Sequence, residues 1–387
     1  MLRKYRKQLI VITSVVVFFS LLGIILGGAL GSSKSYRKLT IITEVLALIK
    51  RNYVEEVDFT RLFSSAFYGM TEGLDPESFY LSPEEYRQYQ KDLVMPRPSS
   101  GLEVGRRGAN YFLEVLRVLP GSSAAEAGIL PGDVLVDIGG RSTRKITIFQ
   151  ARDLLSGDKG SEVRLTIRRK GDKEGKVFTL TRAFPSEERG ETKVIEGKVG
   201  YIRVPTFTRE VVADLEKGLS QFARDKMNYL IIDLRDASGG SLSDMVQAAD
   251  LLLEKGVILS LRSREQLIAS YRAEKGMLFH GKVGVLVNSR TKGLPEAFAS
   301  ALAENNRAEV IGEKSFGSGA VRKAIPLSDG SAIFLAVAKF LSPKGNPLPG
   351  RGVSPSFPIT VPGALEEGVS PYQFQLMKAV EHLIGAE

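Results

Sequence analysis

The chain reads as an α/β and α+β multidomain protein behind an N-terminal membrane helix and a helical cap, and three observations point there. An uncharged apolar run at residues 8–33 follows four basic residues, a Pro/Ser-rich break at residues 95–100 ends a helical stretch, and strands alternate with helices from about residue 193 onward. With 387 residues, 43% of them hydrophobic and 25% charged, the chain has the composition of two or three globular domains rather than of a disordered polymer. Its net charge is +9, yet Lys and Arg interleave with Asp and Glu, which argues against nucleic acid as a partner. Zero cysteines exclude disulfides, thiolate catalysis and the usual zinc ribbons. His280 and His382 stand far apart without acidic partners at ligand spacing, so no metal site, cofactor or histidine triad is expected.

The elements follow in order. Arg3, Lys4, Arg6 and Lys7 precede an apolar run long enough to supply the ~20 residues that span a bilayer. A basic flank holds its end in the cytoplasm. Residues 1–8 are then a cytoplasmic tail, residues 9–30 a single-pass anchor, and the bulk of the chain is periplasmic or otherwise extracytoplasmic. The small residues Gly27-Gly-Ala-Leu-Gly31 leave a cleaved signal peptide as the alternative. Residues 36–95 form the cap, read as helical to about Tyr89, with Ile41, Ile42, Val45, Leu46 and Ile49 at helical spacing. A break near residue 74 is followed by a new helix start, with Ser82 as N-cap before Pro83 and Glu85 in the capping-box position.

Residues 96–185 carry the run Gly121-Ser-Ser-Ala-Ala-Glu-Ala-Gly-Ile-Leu-Pro-Gly-Asp-Val-Leu135, which resembles the turn-rich core of bacterial PDZ domains. The resemblance implies a peptide groove. Gly101, Leu102, Glu103 and Val104 stand at its carboxylate-binding loop and strand edge, and Leu155 ends the helix at residues 148–155 that lines it. Beyond it, residues 199–204, 229–235 and 283–287 read as strands, and 209–224, 243–253, 295–304 and 371–384 as helices.

Several separated segments between about residues 40 and 362 resemble the tail-specific, or C-terminal processing, peptidase family (S41). They are Leu74-Asp-Pro-Glu-Ser-Phe-Tyr-Leu-Ser-Pro-Glu-Glu85, Asp233-Leu-Arg-Asp-Ala-Ser-Gly-Gly240, Val285-Leu-Val-Asn288 with Glu296, Gly312 with Phe316-Gly317 and Gly319, and Gly352-Val-Ser-Pro355. The resemblance implies a ClpP/crotonase-like peptidase core over residues 190–362, followed by a C-terminal helix within 363–387. It also implies a bacterial inner-membrane protein whose oxyanion loop contains Gly239 and Gly240. The frame departs from the family where the chemistry belongs. Gly293 falls on the serine nucleophile, Ser318 on the lysine base, Arg322 on the glutamine that orients the base, and Glu77 on a histidine. Asp236, Ala237 and Ser238 replace the family's Asn-Asn-Pro, and Ser356 replaces an aspartate.

Glycine offers neither oxygen nor proton, and a catalytic set that acts as a unit loses most of its rate with one member. No catalytic residue is therefore expected. The chain reads as an inactive pseudoprotease that binds protein C-terminal tails, or an active peptidase or adaptor, through its PDZ groove and a vacant cleft in which Arg322 suits a carboxylate. One alternative is an active serine-type endopeptidase with a non-standard site, pairing Ser318 with Lys292. Against that pairing stands a solvated Lys292 beside a hydrogen-bonded Ser318, because side chains alternate in direction along an extended chain. The other alternative is an assembly scaffold.

Overall fold

A computed structural model describes residues 34–385 apart from 76, 107–111, 170, 185–187, 275, 363–364 and 366–367. The cytoplasmic tail and membrane helix expected at residues 1–8 and 9–30 lie outside the described residues. Among the described residues no helix is long and apolar enough to cross a membrane. The chain divides into residues 1–66 and 67–387. The first unit holds α1 (Lys34–Asn52) and the start of α2 (Phe59–Glu72). Lys50 and Arg51 occupy the last turn of α1, where cations complement the unpaired carbonyls of the helix end.

The second unit opens with β1 (Phe79–Leu81) and α3 (Pro83–Val94). Next come β2 (Leu102–Gly105), β3 (Leu113–Val118), α4 (Ser123–Glu126), β4 (Val134–Ile138), β5 (Arg141–Ser142), α5 (Ile148–Leu155), β6 (Glu162–Arg168) and β7 (Lys176–Thr181). There follow β8 (Glu191–Ile195), β9 (Val199–Arg203), α6 (Arg209–Arg224), β10 (Tyr229–Asp233), α7 (Leu242–Asp250), β11 (Val257–Arg262) and β12 (Leu267–Arg272). The chain ends with β13 (Lys282–Val287), α8 (Leu294–Glu304), β14 (Glu309–Gly312), β15 (Ala320–Pro326), β16 (Ala332–Leu341), β17 (Phe357–Pro358) and α9 (Pro371–Gly385).

Ser82 caps α3 as expected, accepting from Glu85 N while the Glu85 side chain accepts from Ser82 N. The helical reading to about Tyr89, with its break near residue 74, is corrected in two places. The chain leaves the helix at residues 53–58, and residues 79–81 form a strand. Asp75 makes the second break. Its Oδ1 accepts from Glu77 N (2.9 Å) and its Oδ2 from Ser78 Oγ (2.6 Å), a side-chain turn that replaces helical hydrogen bonds. Phe79, Tyr80 and Leu81 are then buried as an antiparallel strand beside β16, with Phe79 opposite Phe334.

Among the described residues the strands form three sheets. One, ordered β2-β3-β4-β6-β7 with β5 on β4, wraps a core of Leu113, Val115, Leu135, Leu165 and Leu180 closed by Ala151 and Leu155 of α5. The central sheet has the order β17-β14-β13-β10-β9-β8 and is parallel except for the edge strand β8. Its strands are buried on both faces, so they read as unbroken apolar runs. Leu230, Ile232, Val285 and Val287 face the buried side of α6, α7 and α8, while Ile231 and Leu286 face Ala379, Val380 and Leu383 of α9. The third sheet, β1-β16-β11-β12 with β15 on β16, brings β1 and β15 to the same partner strand.

Candidate functional site

Loops that leave the carboxyl ends of β10 and β13 meet in a cleft, the place where an open parallel sheet offers its loops and helix starts to a ligand. The β10 loop turns at Asp236, which has φ 59°. Asn288 Nδ2 (2.8 Å) and Arg290 Nε (2.5 Å) donate to Asp236 Oδ1, Asp236 N donates to Asn288 Oδ1 (3.1 Å), and the Tyr372 hydroxyl donates to Oδ2. An aspartate tolerates this left-handed conformation better than most residues, and these partners hold it there. Gly240 follows at φ 96°, where an added Cβ would lie 2.3 Å from the Phe207 carbonyl oxygen. Only glycine fits. Of the two glycines expected in the oxyanion loop, Gly239 lines the cleft and Gly240 does not. No acceptor among the described residues takes the N–H of either.

The β13 loop ends at Gly293, the N-cap of α8, with φ 75°. A Cβ added there meets nothing closer than the Ser318 carbonyl oxygen at 3.9 Å, so space for a side chain remains. Three residues on, Glu296 is fully buried and accepts four hydrogen bonds. They come from Gly293 N (2.8 Å), Ser318 N (2.8 Å), Gly317 N (2.5 Å) and Ser315 Oγ (2.5 Å). Burial pushes its carboxyl above the ordinary carboxylate range, and the four donors pull the other way by favouring the anion. Glu296 thereby ties the 315–318 segment to the first turn of α8. The sequence showed it as part of a fold signature, and its position three residues after an N-cap was the signal for this second role.

Of the residues singled out by the resemblance, Ser318 and Arg322 converge on Glu77 and Lys292 joins them, whereas Gly293 does not contact it. Lys292 Nζ pairs with Glu77 Oε1, Arg322 Nη2 pairs with Glu77 Oε2, and Ser318 Oγ donates to Oε2 at 2.8 Å. Ser318 is buried and hydrogen-bonded, as expected. A solvated Lys292 is not what the structure has: its side chain is only 21% exposed and lies 5.1 Å from the centre of the Phe316 ring. The alternation argument fails because Gly293 turns the chain with a positive φ. Three separate devices bring Glu77 into place. Asp75 shapes the turn before it, β1 docks on β16, and a register shift between Val321 and Arg322 in β15 marks a bulge of the kind that re-aims a side chain. Burial opposes ionisation of Glu77, but Lys292 and Arg322 outweigh it and hold the carboxyl below its usual range.

The cleft has a volume of about 810 Å³ and continues from Lys292, Gly293, Ser318 and Arg322 to Leu102 and Glu103 of β2 and Phe149 and Leu155 of α5. Of the residues expected to bind peptide, Leu102, Glu103 and Leu155 line it, whereas Gly101 and Val104 do not. Residues 102–105 are strand rather than loop, and the Gly101 N–H donates to Ser99 Oγ (3.3 Å). β2 is one of the two edge strands of its sheet, with β7 at the other end. The Glu103 carboxylate faces the β10 loop: Arg117 pairs with its Oε1 (3.0 Å) and Ser238 Oγ donates to its Oε2 (3.1 Å). His382 Nε2 lies 2.7 Å from Glu309 Oε2, away from this cleft. Among the described residues no three His, Asp or Glu side chains gather at metal-binding spacing.

Comparison with known proteins agrees with this architecture. The signature of peptidase family S41 matches residues 198–359, and that of the PDZ domain matches residues 114–169. The chain is 30% identical over 334 residues to the carboxy-terminal-processing protease of Bartonella bacilliformis, covering 85% of this chain and 76% of that one. It is 31% identical over 354 residues to the carboxy-terminal processing protease CtpB of Bacillus subtilis, with 88% and 72% covered. A solved photosystem II D1 C-terminal processing protease superimposes with a TM-score of 0.71 at 25% identity, over 79% of this chain and 84% of that one. With the α/β core, the PDZ signature and these relatives together, the chain belongs to peptidase family S41.

Proposed function

We propose that this S41 member is a recognition module anchored in a bacterial inner membrane by residues 9–30, with its bulk outside the cytoplasm, and that it binds protein C-terminal tails without cleaving them. The observation that carries the reading is the cluster on Glu77. Gly293 has no nucleophilic atom, and the hydroxyl of Ser318 is committed to a carboxylate held ionised by two cations. A carboxylate so stabilised is a weak base. The edge strand β2, opening into the same cleft, offers an extended tail a strand to pair with. That the relatives are named for processing carboxy-terminal regions favours tails as the ligand, with a partner peptidase or adaptor as the source of one.

A second reading, an active serine endopeptidase, draws on those same names and on the 2.8 Å contact that directs the Ser318 proton at Glu77. Incubating the full-length chain in detergent with an unstructured protein that ends in an apolar tail separates the two. Tail binding with no new fragments by mass spectrometry supports the recognition module. Fragments that vanish in Ser318→Ala refute it and establish a rearranged site. Complexes that survive disruption of residues 101–104 would instead indicate an assembly scaffold.

A further inference from the structure

Among the described residues, four carboxylates (Glu77, Asp92, Glu103, Asp153) and four cations (Arg97, Arg152, Lys292, Arg322) line the cleft, but they are unevenly distributed along it. Asp92 and Asp153 are taken by Arg97, and Glu103 by Arg117. Glu77 is left to neutralise both Lys292 and Arg322. Neither cation spends its full donor capacity on it. A guanidinium carries five N–H groups and an ammonium three. Arg322 reaches Glu77 through Nη2, while its Nε is buried with no acceptor among the described residues. The rest of the guanidinium, on a side chain 20% exposed at an open cleft, has N–H groups to spare for a further acceptor.

The acceptor's chemistry follows from the donors. Arginine presents a flat fork that matches a planar carboxylate, and lysine adds a point charge from the side. The surrounding wall is apolar, with Phe334, Phe340, Leu294 and Val321 lining the same cleft. That combination suits a carboxylate carried on a small apolar residue and disfavours a large hydrated polyanion. The cleft also runs unbroken from β2, so a tail paired along that edge is directed toward the cations.

We infer that Lys292 and Arg322 form a receptor for the free α-carboxylate of a bound tail, and that Glu77 is a resident carboxylate that competes with it and sets its affinity. The inference rests on the tail-binding reading above and locates the terminal carboxylate in the core cleft rather than at Gly101, whose N–H already donates to Ser99. Glu77 then has a double task. It keeps the two cations from repelling one another in the empty cleft, and it prevents adventitious anions from occupying them.

The test uses the full-length chain in detergent and a short labelled peptide ending in Ala-Ala, prepared with either a free carboxylate or a carboxamide. Wild type should prefer the carboxylate by about tenfold or more, as one charge-assisted pair supplies. Arg322→Gln and Lys292→Gln should each erase most of that preference, and Glu77→Gln should strengthen carboxylate binding alone by about tenfold. A gain in Glu77→Gln cannot come from misfolding. A preference that all three variants leave unchanged would overturn the inference and leave tail binding intact. N-acetylalanine, followed by saturation-transfer NMR, serves as a second probe. If no peptide binds but N-acetylalanine binds Glu77→Gln and not Glu77→Gln/Arg322→Gln, the carboxylate site stands and the tail reading falls. If neither probe binds any form, both fall.

Discussion

Replacing Glu77 with glutamine removes one charge and almost no volume, so it isolates the electrostatic part of the cluster. Exposed ion pairs contribute ~0–1 kcal/mol, whereas removing one partner of a buried pair costs ~3–5 kcal/mol. Glu77, Lys292 and Arg322 have side chains 21%, 21% and 20% exposed, closer to the buried limit. Glu77→Gln loses its attraction to both cations and leaves them facing one another, while Ser318 keeps an acceptor in the amide oxygen. We expect a loss of about 2–4 kcal/mol at pH 7. The sign of the pH dependence follows from the lowered carboxyl pKa. The contribution is complete above the ordinary value of 4.5 and disappears as pH falls through the lower folded-state value, so wild type and variant should converge in acid. With several domains, global unfolding is not two-state. Native-state hydrogen exchange of the amides in β15 and β16, with wild type and variant compared at several pH values, is the appropriate assay. A difference under about 0.5 kcal/mol at neutral pH, or one that persists unchanged into acid, would refute the electrostatic account.

Further outcomes follow from neighbouring residues. Gly293→Ser should fold, since the added side chain has room, but a non-glycine residue at φ 75° and ψ −116° costs ~1–3 kcal/mol, to be read from chemical denaturation. Alone it should produce no cleavage, because no base faces it. The triple variant Gly293→Ser/Ser318→Lys/Arg322→Gln should regain measurable cleavage of an apolar tail if the Gly239 loop keeps its donors, and no fragments at all would show that the loop has lost its shape. Glu296→Gln places an NH₂ group against two of the four donors and should destabilise α8 and the 315–318 segment by about 2–4 kcal/mol, visible as lost exchange protection there. Glu103→Ala removes the contact between β2 and Ser238 and should raise exchange at residues 236–240 while leaving the α6 amides unchanged.

The elements that were legible in advance are those whose signal is local. The helix at residues 209–224 coincides with α6, that at 148–155 with α5, and the cap at Ser82 with the start of α3, because spacing, capping side chains and proline position act within one or two turns. The glycines at 239 and 240 could be placed in a loop for the same reason, and each takes a positive φ. β1, β11, β12, β15 and β16 carried no such mark. Short strands are stabilised by their neighbours, and Phe79–Leu81 becomes a strand only because β16 lies beside it.

The composition of the candidate site could likewise be named one residue at a time, and its arrangement could not. Gly293, Ser318 and Arg322 could be singled out without any coordinates, because what a side chain can donate or accept is written in its residue type. That Lys292 and Ser318 both turn to Glu77, 215 and 241 residues away along the chain, depends on strand pairing between β1, β16 and β15 and on the turn at Gly293. Coulomb attraction and hydrogen bonding act through space over a few ångströms, so their partners are chosen by long-range packing and not by spacing in sequence.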